Sequence, residues 1–194
     1  PTDYSDYSDL SSPINSVILG NRAEVDPAQL WTRATATPDG WAFTIPLADY
    51  TSVGYLYNSD ITDRAEAEQN FSDLFEPDDI YSDFSFRNYV VNEPIIDKRI
   101  ILNGLRLFFL EPLESTAIAL QQRWIRKTFD WIVLRSAAPE DIQAAILAEI
   151  REVENFILAH YLKGSKYDTT FWDFAGKFDI TQALKDQLAH ARED

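Results

Sequence analysis

Apolar residues recur along this chain with two different periods. Up to about residue 110 they alternate with polar or small residues, as in half-buried strands. Trp41, Phe43 and Ile45 fall on one side of a strand over residues 41–47, which the alternation assigns to the core. Residues 53–59 alternate in the same way, across a loop at 48–52. Residues 16–19, 31–37, 84–91 and 100–102 read as further strands, with Pro38, Asp39 and Gly40 as one turn and Asn92 to Pro94 as another. One helix interrupts them: it starts near Asp60–Asp63 with Thr62 as cap, turns Ala65, Phe71, Leu74 and Phe75 inward, and stops before Pro77.

Beyond residue 114 the period lengthens to that of a helix. Ile118, Ile125, Phe129, Ile132 and Val133 predict a core-facing stripe opposite Arg123, Arg126, Lys127 and Asp130. A second helix has Pro139 near its first position, Glu140 and Asp141 in its first turn, and Ile142, Ile146, Ile150, Val153 and Ile157 in register, with Gly164 as its stop. Residues 179–194 predict a last amphipathic helix with Leu184 and Leu188 facing in, and residues 1–16 read as a loop. The pattern therefore predicts an α+β fold: antiparallel strands over 1–113, then a mainly α-helical part over 114–194, as one continuous fold.

The two periods meet at Phe109 to Ile118, a strand-to-helix turn. Pro112 suits the turn or the first helical position. Glu111 and Glu114 are acids that complement a helix dipole, and Ser115 and Thr116 are capping hydroxyls, while exposed amides at such a start also attract anions. The two glutamates do not make a glycosidase pair, because neighbouring helix-start acids cannot flank a substrate from two sides.

Composition narrows the partners. Seventeen basic against 32 acidic residues give a formal net charge of −15, which opposes nucleic acid and anionic lipid surfaces. Cysteine is absent, so disulfides and thiolate chemistry are excluded, and His160 and His190 lack partners at metal-ligand spacing, so no metal site is expected. No apolar run approaches a membrane span and the first residues lack a signal-peptide pattern, so a cytoplasmic protein is expected. The glycines, at 20, 40, 54, 104, 164 and 176, are too scattered for a dinucleotide-binding turn.

The run from Phe109 to Ile118 (Phe-Leu-Glu-Pro-Leu-Glu-Ser-Thr-Ala-Ile) resembles a signature of the flavin-dependent halogenases of the tryptophan-halogenase family. Three other stretches carry the same resemblance. Trp41 to Pro46 is similar to the family's Trp-x-Trp-x-Ile-Pro, with Phe43 in the second Trp position. Gly54, Tyr55 and Tyr57 match a Gly-Tyr-x-Tyr strand, and Gly104 matches a family glycine, whereas Lys98 and Arg99 stand where relatives often have Gly-Asn. Asp168 to Trp172 resembles an Asp-Thr-Pro-Phe-Trp segment, with Thr170 in place of proline, and Tyr167 stands where tryptophan-specific relatives tend to have a glutamate. From these residues alone, the aromatic segment at 160–172 reads equally as a lid or as a packed corner.

The resemblance implies part of a larger flavin-monooxygenase-like fold and a chemistry in which reduced FAD, oxygen and halide furnish an electrophilic halogen for a tryptophan- or indole-like arene. It implies Glu114 and Ser115 as catalytic residues, the backbone at Thr116 and Ala117 as halide-binding, and Tyr161, Tyr167, Phe171 and Trp172 as substrate-binding. Trp41, Phe43, Gly104 and Pro112 would lie on the flavin side. The implied partners are a small aromatic substrate and a flavin reductase that supplies reduced FAD, with homo-oligomers left open. The dinucleotide-binding segment and the family's catalytic lysine would lie upstream of Pro1, so a fragment that is inactive alone is expected. The rival expectation is a non-enzymatic helical interaction module derived from this fold.

Overall fold

The computed structural model describes residues 6–26, 28–162 and 164–190, without the side chains of residues 187–190. Ten strands come first: β1 (Tyr7–Asp9), β2 (Ser16–Arg22), β3 (Arg33–Thr37), β4 (Gly40–Pro46), β5 (Thr51–Tyr57), β6 (Asp79–Ser85), β7 (Tyr89–Val91), β8 (Ile95–Ile96), β9 (Ile100–Ile101) and β10 (Phe108–Phe109). Between them, among the described residues, α1 (Arg64–Phe75) is the only α-helix. Then follow α2 (Thr116–Phe129), α3 (Pro139–Tyr161), α4 (Thr170–Ala175) and α5 (Gln182–His190). The predicted α+β class, strands before helices, is the one found.

Tertiary contacts divide the chain into two compact units. One comprises the described residues of Pro1–Ser12, Arg87–Ala159 and Ile180–Asp194, the other Pro13–Phe86 and His160–Asp179. The second is built on an antiparallel sheet in the order β3-β4-β5-β2-β6. Its core joins Ile18, Ala42, Val53, Tyr55 and Tyr57 to Ala67 and Phe71 of α1. The alternation of β4 is as predicted, but the face packed under α1 is that of Ala42. Trp41 and Phe43 occupy the opposite face, and Phe43 lies across Gly54, where any Cβ would stand 2.2 Å from the ring. Only glycine lets the aromatic ring cover that cross-strand partner.

Asp63, not Thr62, caps α1, accepting the Glu66 amide at 3.0 Å. Thr62 is otherwise engaged. Its hydroxyl donates to Asp39 Oδ1 at 3.1 Å, while Tyr55 and Asn70 donate to Oδ2 at 2.5 and 2.8 Å. Three donors on one buried carboxylate tie the β3–β4 turn to β5 and α1, and this satisfaction is what makes burial of Asp39 tolerable. Burial and the Asp39 carboxylate push the Tyr55 phenol well above its ordinary range.

The strand predicted over 84–91 is two strands. β6 pairs with β2, and β7 pairs with β1 and β10 in a separate sheet of order β1-β7-β10. The chain changes sheet at Phe86–Asn88, where the Phe86 amide donates to the Asn15 carbonyl at 2.7 Å, so the apolar alternation on either side serves two different cores.

In the first unit, α3 is the helix its pattern predicts. Ile142, Ile146, Ile150 and Ile157 are all buried, each worth about 1.5–3 kcal/mol relative to exposure. Gly164 ends the turn after it at φ 65°, its amide donating to the Tyr161 carbonyl. The stripe predicted on α2 is not core: Ile118, Ile125, Phe129, Ile132 and Val133 are exposed, and Leu120 and Trp124 on the other side are buried. In α5, Leu184 is half-buried, and the side chains of Leu188 and His190 lie outside the described set; of the loop predicted over residues 1–16, residues 1–5 lie outside it too, and Tyr7–Asp9 is strand β1, drawn out of the loop by its pairing with β7.

Candidate functional site

The turn from β10 into α2 begins apolar and ends strained. Leu110 and Glu111 are buried, Pro112 is exposed, and Leu113 is buried again as the start of a 3-10 turn over Leu113–Ser115. Glu114 and Ser115 then both adopt left-handed backbone, at φ 55° and 54°. Two successive non-glycine residues there cost about 1–2 kcal/mol each, so the fold holds them against their preference. Both side chains are exposed.

Ser115 and Thr116 are not the capping hydroxyls expected from sequence. Ser115 makes no side-chain cap, because left-handed backbone turns its hydroxyl away from the geometry a cap needs. The Thr116 hydroxyl donates back to the Leu113 carbonyl at 3.1 Å, and its amide bonds to the same carbonyl. The next amides of the first turn, beginning with Ala117, are of the kind a helix start leaves without an i−4 carbonyl inside the helix.

Glu111 does not complement the dipole at the surface. It is 0% exposed: Ser12 donates its hydroxyl to Oε2, and the Glu111 amide donates to Asn88 Oδ1 at 2.8 Å. It therefore anchors the turn from beneath while Glu114 projects from it. Ser12 and Asn88 have no sequence signal for this role, since they reach Glu111 from 99 and 23 residues away. Gly104 lies in the same unit at φ 57°, after Asn103 caps a 3-10 turn with its side chain, and nothing stands within 4 Å of where its Cβ would be.

The aromatic candidates lie in the other unit. Tyr161, Phe171 and Trp172 form one buried cluster, with ring centroids 5.8 Å apart for Tyr161–Trp172, 6.2 Å for Tyr161–Phe171 and 5.3 Å for Phe171–Trp172. Trp172 Nε1 donates to the Thr37 carbonyl at 2.8 Å, and Thr169 Oγ1 to the Pro38 carbonyl at 2.6 Å, so the segment is a packed corner fastened to the β3–β4 turn. Tyr167 is half-buried and carries the Lys166 ammonium 5.0 Å from its ring centroid, a cation–π contact. Trp41 is buried beside Phe43, centroids 6.3 Å apart. Thus Gly104, Pro112 and Glu114 to Ala117 share one unit, and Trp41, Phe43, Tyr161, Tyr167, Phe171 and Trp172 share the other.

The halogenase resemblance of these stretches is matched by comparison of the whole chain with known proteins. The family profile described as tryptophan halogenase matches residues 2–194. The chain belongs to the tryptophan halogenase family. It is 32% identical over 173 residues to the tryptophan 6-halogenase SttH of Streptomyces toxytricini, covering 84% of this chain and 31% of that protein. It is 25% identical over 165 residues to the tryptophan 7-halogenase RebH of Lentzea aerocolonigenes, covering 81% and 31%. The chain thus spans about a third of these relatives' length.

Solved halogenase structures share the fold. The crystal structure of SttH superposes with a TM-score of 0.82 at 24% identity, covering 96% of this chain and 38% of that one. Xcc4156, a flavin-dependent halogenase from Xanthomonas campestris, gives 0.80 at 26% identity, covering 97% and 39%. Among the described residues of this halogenase-family chain, no group of His, Cys, Asp and Glu could hold a metal ion and no helix is long and apolar enough to cross a membrane.

Proposed function

We propose that this chain forms the catalytic edge and aromatic substrate wall of a flavin-dependent halogenase acting on a tryptophan- or indole-like arene. The observation that carries the proposal is the strained turn that presents Glu114 and Ser115 outward while burying Glu111. Asp97 and Lys98 are a second exposed left-handed pair, so strain of about 1–2 kcal/mol per residue supports the reading only together with the signature run in which Glu114 and Ser115 stand.

Bound reduced FAD, with oxygen and halide, supplies the electrophilic halogen. The residues here suit the margin of such a cofactor and not its phosphates: the open backbone at Gly104 and exposed Pro112 offer an edge, and the scattered glycines offer no phosphate-cradling turn. Trp41 and Phe43 would wall the flavin side. Binding of FAD would therefore fall mainly to residues outside this chain, and the isolated 194 residues are expected to be inactive.

The Glu114 carboxylate orients the electrophile, stabilises the cationic ring formed when halogen adds, and takes the ring proton as aromaticity returns. Ser115 links the substrate and flavin sides by its exposed hydroxyl. Of the two amides expected on the halide side, Thr116's is already given to the Leu113 carbonyl, so the halide role falls to the Ala117 amide, favoured by the positive end of the helix dipole. Half-buried Tyr167 and the 8% of Trp172 left exposed offer aromatic edge for an arene, while Tyr161 and Phe171, expected to bind substrate, are buried against Trp172 and support it instead. Tyr167 offers no carboxylate for a substrate ammonium, so an arene without a free amino-acid end suits this chain as well as tryptophan does. A flavin reductase would supply the reduced cofactor.

The test is Glu114→Gln in protein that includes a flavin-binding portion. FAD retained with halogenation lowered 100-fold or more is expected. Unchanged turnover would remove Glu114 from its role, and FAD-loaded, halide-dependent turnover by the 194 residues alone would refute their expected inactivity.

A further inference from the structure

Two buried carboxylates of the first unit, Glu111 and Glu154, take no part in the proposed chemistry. Both hold the same short segment. The Ser12 hydroxyl donates to Glu111 Oε2, and the neighbouring Ser11 amide donates to Glu154 Oε1. Arg151 secures the second contact, its Nη1 donating to Glu154 Oε2 at 3.0 Å and to the Asp9 carbonyl at 3.3 Å. Asn88, itself buried, completes the arrangement: its backbone carbonyl accepts the Leu10 amide at 3.0 Å, and its Oδ1 accepts the Glu111 amide at 2.8 Å. Residues 9–12 are thus bonded at one end to α3 and at the other to the turn that carries Glu114.

The other left-handed pair of this unit is explained locally. Asp97 and Lys98, at φ 51° and 54°, are the middle of the tight turn between β8 and β9, closed by the Arg99 amide donating to the Ile96 carbonyl at 3.0 Å. Hairpin turns of that kind require two left-handed central residues. Glu114 and Ser115 lead into a helix instead, and the local bond across them, from the Ser115 amide to the Pro112 carbonyl, is long at 3.4 Å. Their conformation therefore depends on what grips the chain just before them.

We infer that Ser12 and Asn88 are positioning residues: acting through Glu111, they hold the Glu114–Ser115 turn in its left-handed form and so fix where the Glu114 carboxylate stands. The role in the reaction rests on the proposed halogenase function, whereas the bracing is a property of the fold alone. Released from the brace, the turn relaxes and gives up its strain. Loss of the brace and relief of the strain must then be coupled and not additive.

The experiment is a double-mutant cycle on the 194-residue chain, read as the equilibrium constant of urea unfolding. In the parent, Glu114→Gly is expected to favour folding about fivefold. In a Ser12→Ala background the same change should gain less than about twofold, and in Ser12→Thr, which keeps the hydroxyl, about fivefold again. Hydrogen exchange on the parent depends on no variant: the Glu111 amide should exchange as slowly as the Ile146 amide within α3, through global unfolding. In protein that includes a flavin-binding portion, Ser12→Ala should lower kcat about tenfold or more, with KM for the arene and FAD content within about twofold of the parent, and Ser12→Thr should restore kcat. Additive effects in the cycle, a Glu111 amide exchanging about 100-fold faster than that of Ile146, or an unchanged kcat in Ser12→Ala would each overturn the inference. Flavin-loaded parent that does not halogenate would sink the functional reading, and the cycle and the exchange rates would still decide the brace.

Discussion

The turn at Glu111–Ala117 and the corner at Tyr161–Trp172 both carry residues of the halogenase signature, and they hold them by opposite means. At the turn, the Glu114 and Ser115 side chains are exposed and the backbone beneath them is strained, with Glu111 and Leu113 buried as anchors. At the corner, the side chains are themselves the core: three aromatic rings pack on each other and Trp172 is fixed by its indole N–H. The first arrangement lowers stability and leaves its polar side chains at the surface. The second gains stability and shape together, because an aromatic wall is made of the same residues that a core requires.

Substitutions should therefore separate the two regions. The largest effect is expected at the corner: Phe171→Ala should cost about 3–5 kcal/mol in urea unfolding followed by circular dichroism, since it empties a fully buried aromatic site. A cost below about 1 kcal/mol would mean the corner is loosely packed. At the turn, Glu114→Gln in flavin-loaded protein should leave unfolding within about 0.5 kcal/mol of the parent while slowing halogenation about 100-fold, equivalent to about 2.7 kcal/mol of activation free energy.

Tyr55→Phe probes the anchor of the β3–β4 turn, to which the corner is tied. Removing one of three donors to Asp39 should cost about 1–3 kcal/mol. The pH dependence has a definite sign. Because the folded Tyr55 phenol titrates above its unfolded value of 10.0, its contribution is complete below that pH and is lost as pH rises through it toward the folded value. The Phe variant should lose part of that alkaline sensitivity, and an identical pH profile would contradict it. The smallest effect has the opposite direction: Glu114→Gly should raise stability by about 1 kcal/mol by relieving left-handed strain, even as it removes the carboxylate. Destabilisation on that change would show that the turn is not strained.

Much of this contrast was legible in the sequence, though not all of it. The signature run placed Glu114 and Ser115 at a strand-to-helix turn, which is where they are. Alternation and helical period located β4, β5 and α3 within a few residues. The same alternation could not say which face of β4 would meet α1, because Trp41/Phe43 and Ala42 are both apolar sets and the choice depends on the fit of Ala42 and Tyr55 against Phe71. Thr62 looked like a helix cap until Asp39, 23 residues away, claimed its hydroxyl.

The sequence by itself determined the local elements and the family, since propensity, periodicity and a ten-residue signature are all properties of neighbouring positions. Only the tertiary structure decided that Glu111 would be buried under the turn, that the aromatic segment would be a corner and not a lid, and that the apolar stripe of α2 would stand uncovered. Each of these turns on contacts between residues far apart in the chain. A helical period reports that a face is apolar; what lies against that face is set by the rest of the fold.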